Sequence, residues 1–173
     1  NFVNASPIGD LSIFFLALNS VLKIRSSYGK EREIFLKDFF KGYKTLDLQE
    51  GEIVIGLSFR KPIGQYFFNF EKVSKRTYLD IASVNSAVYY RMNGDLIEEI
   101  HISGGGLAPV PKYFQKTCDF LKNKDLSDEN LLKEASEILL SEVSPISDIR
   151  GSKEYKSLLL KQLFFVHFEE TTV

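Results

Sequence analysis

Apolar residues first gather in the run Leu11 to Leu22, which carries Asn19 near its end. At about 12 residues the run falls short of the ~20 needed to cross a bilayer, so it predicts a buried helix leading into a strand. Ahead of it, Asn4, Ser6, Pro7, Gly9 and Asp10 make a turn-rich segment that feeds straight into that helix. From Val21 onward the pattern switches to strands. Val21 to Arg25 and Glu31 to Leu36 flank Ser26-Ser-Tyr-Gly29 and predict a hairpin. Lys37 to Lys41 reads as a short helical turn closed by Gly42. Ile53, Ile55, Leu57 and Phe59 alternate with Val54, Gly56, Ser58 and Arg60, the period-two pattern of a half-buried strand. After a break at Lys61-Pro-Ile-Gly64, Tyr66, Phe68 and Phe70 share one face of the next strand, and strict alternation adds Lys72 to that face. Val84 to Arg91 and Leu96 to Ser103 predict a second hairpin across Met92-Asn-Gly-Asp95, where Asn-Gly favours a tight turn.

Beyond Gly104-Gly-Gly106 the period becomes helical. Pro111 is placed at a first helical position, with Phe114, Cys118 and Leu121 following at i, i+4 and i+7. Ser127 is the expected N-cap of a helix whose stripe is Leu131, Ala135, Ile138 and Leu139, ended by Ser144-Pro145. Gly151-Ser152 precedes a last helix carrying Tyr155, Leu159, Leu163 and Val166. Strands followed by helices predict an α+β fold: an antiparallel sheet region with a flanking helix, then a helical C-terminal cluster. A subdomain seam is expected near Lys61 to Gly64.

Length and composition narrow the function classes. The 173 residues suit one domain, or two small subdomains sharing a core. A formal net charge of −1 argues against nucleic acid, which requires a basic face. One Cys and two His supply no ligand set for zinc or an iron–sulfur cluster, so any such centre belongs on another chain or domain. The single Cys fits a reducing compartment and a cytoplasmic protein rather than a disulfide framework, and no membrane association is expected.

Chemistry is sparse. Gly42-Tyr-Lys-Thr45 lacks the Gly spacing of a P-loop. Gly104-Gly-Gly106 leads to Pro109 and Pro111 rather than into a helix, so it reads as a connection packed closely against a neighbour, not a dinucleotide fingerprint. His101 shares a strand face with Glu99 and Ser103 and is expected to be exposed. His167, among Phe164, Phe165 and Phe168, is expected to be packed, and Cys118 to fill a core stripe. No Ser–His–Asp set or carboxylate pair stands out.

Several motifs occur in a telling order: Asn4-Ala-Ser-Pro-Ile-Gly-Asp-Leu11, Asp38-Phe-Phe-Lys-Gly-Tyr-Lys-Thr45, Glu52-Ile-Val54, Phe70-Glu-Lys72 with Ser74-Lys-Arg76, Asp80-Ile-Ala-Ser-Val84, Gly104-Gly-Gly-Leu-Ala108, and Ser144-Pro-Ile-Ser-Asp-Ile-Arg-Gly-Ser152. In that order they resemble the FAD-binding subunit or domain of xanthine dehydrogenase-type molybdenum hydroxylases, bacterial small subunits above all. The resemblance implies electron transfer: a molybdopterin centre oxidises substrate, iron–sulfur clusters relay electrons, and FAD passes them to NAD or oxygen. It implies partners, the iron–sulfur and molybdopterin-binding subunits or domains. It assigns residues 1–62 to the C-terminal part of an FAD-binding subdomain and 63–173 to the flavoprotein C-terminal subdomain. It also implies FAD contacts: Asn1 at the pyrophosphate, Asn4 beside it, Asp10 through hydrogen bonds, Val54, and Lys72 as a nearby cation. At Asn4 the family often has Thr or a small residue. The family's phosphate-binding Gly pair would stand just before Asn1, so an upstream FAD-binding segment is expected to complete the cradle. The alternative is a docking fragment of the same assembly that does not bind flavin by itself.

Overall fold

Helix α1, Asp10–Ala17, is apolar nearly all round, and its Ser12, Ile13, Leu16 and Ala17 are buried. Two layers cover it. Phe14 packs on Phe68 and Phe70, with ring centroids 4.8 and 6.4 Å away, and Ser103 Oγ donates to the Ile13 carbonyl at 2.7 Å. On another flank Phe15 packs on Phe2 and Phe59, at 6.0 and 5.9 Å. The computed structural model describes residues 1–76 and 80–169.

The first layer is an antiparallel sheet of β1 (Val21–Ser26), β2 (Glu31–Phe35) and β5 (Glu52–Ser58), ordered β2-β1-β5. Between them α2 (Leu36–Phe39) and a ribbon of β3 (Phe40–Gly42) and β4 (Thr45–Leu46) close the loop. The second layer is a four-stranded antiparallel sheet of β6 (Tyr66–Ser74), β7 (Ala82–Asn93), β8 (Leu96–Gly105) and β9 (Lys112–Tyr113), in chain order. One of its faces carries Val84, Val88, Tyr90, Ile100 and Ile102 into a core with α3 (Gln115–Leu121), α4 (Leu131–Ser141) and α5 (Lys153–Glu169). Its other face, through Ala87, Phe68 and Phe70, packs with α1 and the first sheet. Strand β7 is therefore covered on both faces, and nine consecutive residues from Ala82 to Tyr90 are buried.

The α+β architecture, both hairpins and the helical cluster are as expected from the chain pattern. Several local expectations fail for identifiable reasons. Opposite β1, Lys23 pairs with Gly56 but Ile24 pairs with Val54, so Ile55 is the extra residue of a bulge. The bulge shifts the phase: Leu57 and Val54 both face the core, and Ile53 is left 62% exposed. The helical turn expected at Lys37 to Lys41 lies at Leu36–Phe39, because Phe40 and Gly42 pair with Leu46 and Thr45.

Pro111 does not open a helix. Lys112 and Tyr113 first add a short strand against Gly104 and Ser103, which delays α3 to Gln115. Ser127 is not an N-cap either: its hydroxyl donates to Asp125 Oδ1 at 2.6 Å, and α4 begins at Leu131. In α5 the buried face is Lys156, Leu160, Leu163, Phe164, His167 and Phe168, one step round from the expected stripe, leaving Tyr155 44% exposed. Ser152 Oγ accepts the Tyr155 N–H at 3.1 Å and so caps that helix.

Candidate functional site

Alternation along β6 sends Tyr66, Phe68, Phe70 and Lys72 to the face that meets α1. Phe68 and Phe70 receive Phe14, and one helical turn earlier Asp10 meets Lys72, Oδ2 to Nζ at 2.8 Å. The pair is partly solvated, so it adds little stability and acts mainly to set position. Asp10 stands in the first turn of α1, where a carboxylate also favours the helix dipole.

The second Asp10 oxygen is held from below. Asn85 in β7, fully buried, donates Nδ2 to Asp10 Oδ1 at 2.6 Å and to the Ile8 carbonyl at 3.3 Å. Its own Oδ1 is buried without a partner among the described residues. Sequence reasoning missed Asn85. The available signal was a polar residue set among the apolar positions of the Val84 to Arg91 strand.

Two glycines of the Gly104-Gly-Gly106 triplet, Gly105 and Gly106, let the N-terminal loop come this close. A Cβ on Gly105 would stand 2.2 Å from Asn85 Oδ1 and 3.0 Å from the Pro7 carbonyl. Gly106, at φ +81°, donates its N–H to the Pro7 carbonyl at 2.9 Å. Gly104 lies against Leu107 and Phe114. The triplet is a tight-packing connection, as its context suggested.

Asn1 and Asn4 are exposed on the same loop, and Asn1 Oδ1 lies 3.5 Å from where a Gly9 Cβ would stand. The structure thus joins Asp10 to Lys72 and places Asn1 and Asn4 on the segment leading to them. Val54 lies in β5 opposite Ile24, half buried, with its side chain against the core that α1 shares.

A C-terminal loop closes on the same end of the sheet. Lys156, 2% exposed, donates to the Ile146 carbonyl and pairs with Asp148 Oδ2, both at 2.9 Å. Burial pushes the Asp148 carboxyl up, but the Lys156 ammonium and the Arg150 N–H outweigh it and hold the carboxyl below its usual range. Ser83 Oγ donates to the Arg150 carbonyl at 2.9 Å, and Lys75 donates to the Ile149 carbonyl. A cavity of about 460 Å³ lies between this loop, Gly106 and residues Ser6, Pro7 and Ile8.

A second cavity, about 480 Å³, opens at the opposite end of the same face, beside Phe35, Phe59, Tyr89 and His101. Here His101 corrects an expectation: its side chain is only 12% exposed. Nδ1 meets Tyr113 Oη at 2.7 Å and Nε2 meets Glu99 Oε1 at 3.1 Å, while Arg91 pairs with Glu98 and Glu99. Burial lowers the His101 pKa against the pull of Glu99. With both ring nitrogens engaged, this histidine has none free to take a proton from a ligand. Nor do the other soft groups offer chemistry. His167 is packed as expected, Nε2 to Ser86 Oγ at 2.8 Å, and burial drives the Cys118 thiol up to about 12, far from a reactive thiolate.

Comparison with known proteins decides among families that share such sheets. Residues 69–171 match the family model described as CO dehydrogenase flavoprotein C-terminal domain, and residues 1–59 match FAD binding domain in molybdopterin dehydrogenase. The chain belongs to the FAD-binding flavoprotein family of the molybdenum hydroxylases. Among members, xanthine dehydrogenase 1 of Arabidopsis thaliana is 31% identical over 175 residues, covering 97% of this chain and 13% of that protein. The glyceraldehyde dehydrogenase medium chain of Sulfolobus acidocaldarius is 31% identical over 167 residues, covering 96% and 58%.

Solved structures share the fold. Carbon monoxide dehydrogenase from Hydrogenophaga pseudoflava superposes with a TM-score of 0.86 at 22% identity, covering 94% of this chain and 55% of that one. Quinoline 2-oxidoreductase from Pseudomonas putida 86 gives 0.79 at 25%, covering 98% and 57%. The chain therefore spans a little over half of the medium-chain relative and of these solved chains. No helix among the described residues is long and apolar enough to cross a membrane.

Proposed function

We propose that this chain forms part of the FAD-binding, electron-transferring component of a cytoplasmic molybdenum hydroxylase. In it electrons would arrive from iron–sulfur clusters on partner subunits or domains, themselves fed by a molybdopterin centre, and leave to NAD or oxygen. Residues 1–62 would complete the FAD-binding subdomain and residues 63–173 form the flavoprotein C-terminal subdomain. The observation that carries this reading is the loop from Asn1 to Asp10, clamped onto β7 and β8 with its polar side chains at the surface.

The donor set fits the cofactor. Exposed Asn1 and Asn4 carry amides that can donate to phosphate oxygens. Asp10 offers a carboxylate that can accept from hydroxyl groups, and Lys72 an ammonium beside it. FAD, when bound, supplies the exchange between paired and single electrons that such a relay requires. The chain's own residues bind and orient: the Asn1–Asp10 loop would follow the pyrophosphate, and Lys72 would offset negative charge. Because Asp10 already neutralises Lys72, the field at the site is that of a dipole rather than a bare cation. Val54, on β5, would contribute through its backbone edge or its side chain.

The test is an FAD titration of the full-length protein, followed by flavin absorbance and fluorescence. Stoichiometric binding weakened at least about tenfold by Asp10→Ala is expected, since a charge-assisted hydrogen bond is worth that much. A full-length protein that binds no flavin would favour the docking-fragment alternative and end this reading.

A further inference from the structure

At one level of the four-stranded sheet, three neighbouring residues line up across β6, β7 and β8: Lys72 opposite Asn85, and Asn85 opposite Gly105. All three serve the same loop. Lys72 takes one Asp10 oxygen and Asn85 takes the other. Gly105 leaves the space that the Asn85 amide and the Pro7 carbonyl occupy. The amide can stand only one way round. Reversed, its oxygen would face the Asp10 carboxylate and the Ile8 carbonyl, both acceptors.

The orientation that serves the loop leaves Asn85 Oδ1 buried over Gly105 with no partner among the described residues. A buried acceptor without a donor is a cost to the fold. An apolar side chain of similar size would fill the position without that cost, so packing alone does not account for an amide here. Ser83 and Ser86, its neighbours in β7, are also buried, yet each hydroxyl has a partner, the Arg150 carbonyl and His167 Nε2.

We infer that Asn85 is a positioning residue for the cofactor site: it fixes the Asp10 carboxylate and the Ile8 carbonyl, and through them the Asn1–Asp10 loop, without itself touching FAD. The inference rests on the FAD reading above. It makes Asn85, Asp10 and Lys72 one mechanical unit, with Asn85 acting only through Asp10.

The experiment uses Asn85→Leu, Asp10→Ala and the double variant in the full-length protein, with two readouts. The first is FAD affinity. Asn85→Leu is expected to weaken it about tenfold, the worth of a charge-assisted hydrogen bond, and to weaken it no further once Asp10 is Ala. The second is hydrogen exchange without cofactor. Amides of residues 1–10 are expected to exchange about tenfold faster in Asn85→Leu, while β7 and β8 keep their protection and the midpoint of denaturation does not fall. Additive losses in the double variant, or unchanged exchange in the loop, would overturn the proposal. A fall in global stability that speeds exchange everywhere would overturn it too, because Asn85 would then be a packing residue. Should Asn85→Leu fail to fold, Asn85→Ala removes the same donor without bulk and carries the same expectations. If the unmodified protein binds no FAD, the functional reading fails, and the exchange comparison alone decides whether Asn85 holds the loop.

Discussion

At one end of the α1-facing side of the four-stranded sheet, Arg91, Glu99, His101 and Tyr113 partner one another. At the other end Asn85 commits its donors to a loop and leaves its acceptor unused. The register separates the two levels by six positions on β6, from Tyr66 to Lys72, or about 20 Å of strand. Each end lies beside a cavity of similar volume, about 480 and about 460 Å³. Cavity size therefore does not distinguish the proposed cofactor end from the other, but the hydrogen bonding of the two ends differs. The histidine end closes on itself, whereas the asparagine end holds a segment whose exposed amides, carboxylate and ammonium face outward.

The strongest way to break this contrast is to fill the space that the loop end depends on. Gly105→Ala places a Cβ against Asn85 Oδ1 and the Pro7 carbonyl and should cost about 3 kcal/mol, at the upper end of overpacking effects. Denaturant titration measures it. A loss under about 1 kcal/mol would mean the loop moves aside freely, and the clamp described above would be fictitious.

Next in size is the other buried histidine. Among the described residues His167 has one hydrogen-bond partner, Ser86, and its Nδ1 has none. Burial lowers its pKa from the usual 6.5 to about 4. The unfolded imidazole then takes up a proton below about pH 6.5 while the folded one stays neutral, so stability falls with pH until about 4 and levels off beyond. Linkage puts the loss near 2 kcal/mol by pH 5. His167→Gln should remove most of that slope between pH 6.5 and 5, leaving the part that His101, also lowered by burial, contributes, in a window above the one in which depressed carboxylates such as Glu52, at about 2, are protonated. An unchanged slope in the variant would show that the buried ring is not its source.

Smaller, and aimed at the site itself, is the comparison of two lysines on β6 and just beyond it. Lys72 pairs with Asp10, whereas Lys75 donates to the Ile149 carbonyl of the C-terminal loop. In the flavin-loaded full-length protein Lys72→Met should weaken FAD about tenfold, and Lys75→Met by no more than about twofold. Equal effects would place the cofactor nearer the C-terminal loop than proposed.

The smallest change is expected at the closed end. His101→Phe keeps the stacking on Tyr89 but takes the His101 partner from Tyr113 and from Glu99, which retains Arg91, for a loss of about 1 kcal/mol in stability and none in FAD affinity. A clear loss of FAD affinity in this variant would erase the distinction between the two ends.

What the linear pattern determined is the set of elements and their class. The apolar run after Asp10, the two hairpin turns and the change from period two to period 3.6 each report local burial, and burial on one face or all round is written directly into residue order. The strand face of Tyr66, Phe68, Phe70 and Lys72 was legible for the same reason, but not that it meets α1 through Asp10. Motif order carried the family.

Only the tertiary structure decided which side chains those faces bring together. The bulge at Ile55 turned Val54 inward, because one unpaired residue reverses every side chain beyond it. Pairing of Lys112 and Tyr113 with β8 overrode the helix-start signal of Pro111. His101 looked exposed because its burial comes from Tyr89 and Tyr113 on neighbouring strands, not from its own. Residue order marked Asn85 only as a polar residue among apolar ones and could not give its role. Its role depends on Asp10, distant in the chain, and on Gly105 one strand away, and such partners are specified by strand register rather than by sequence spacing.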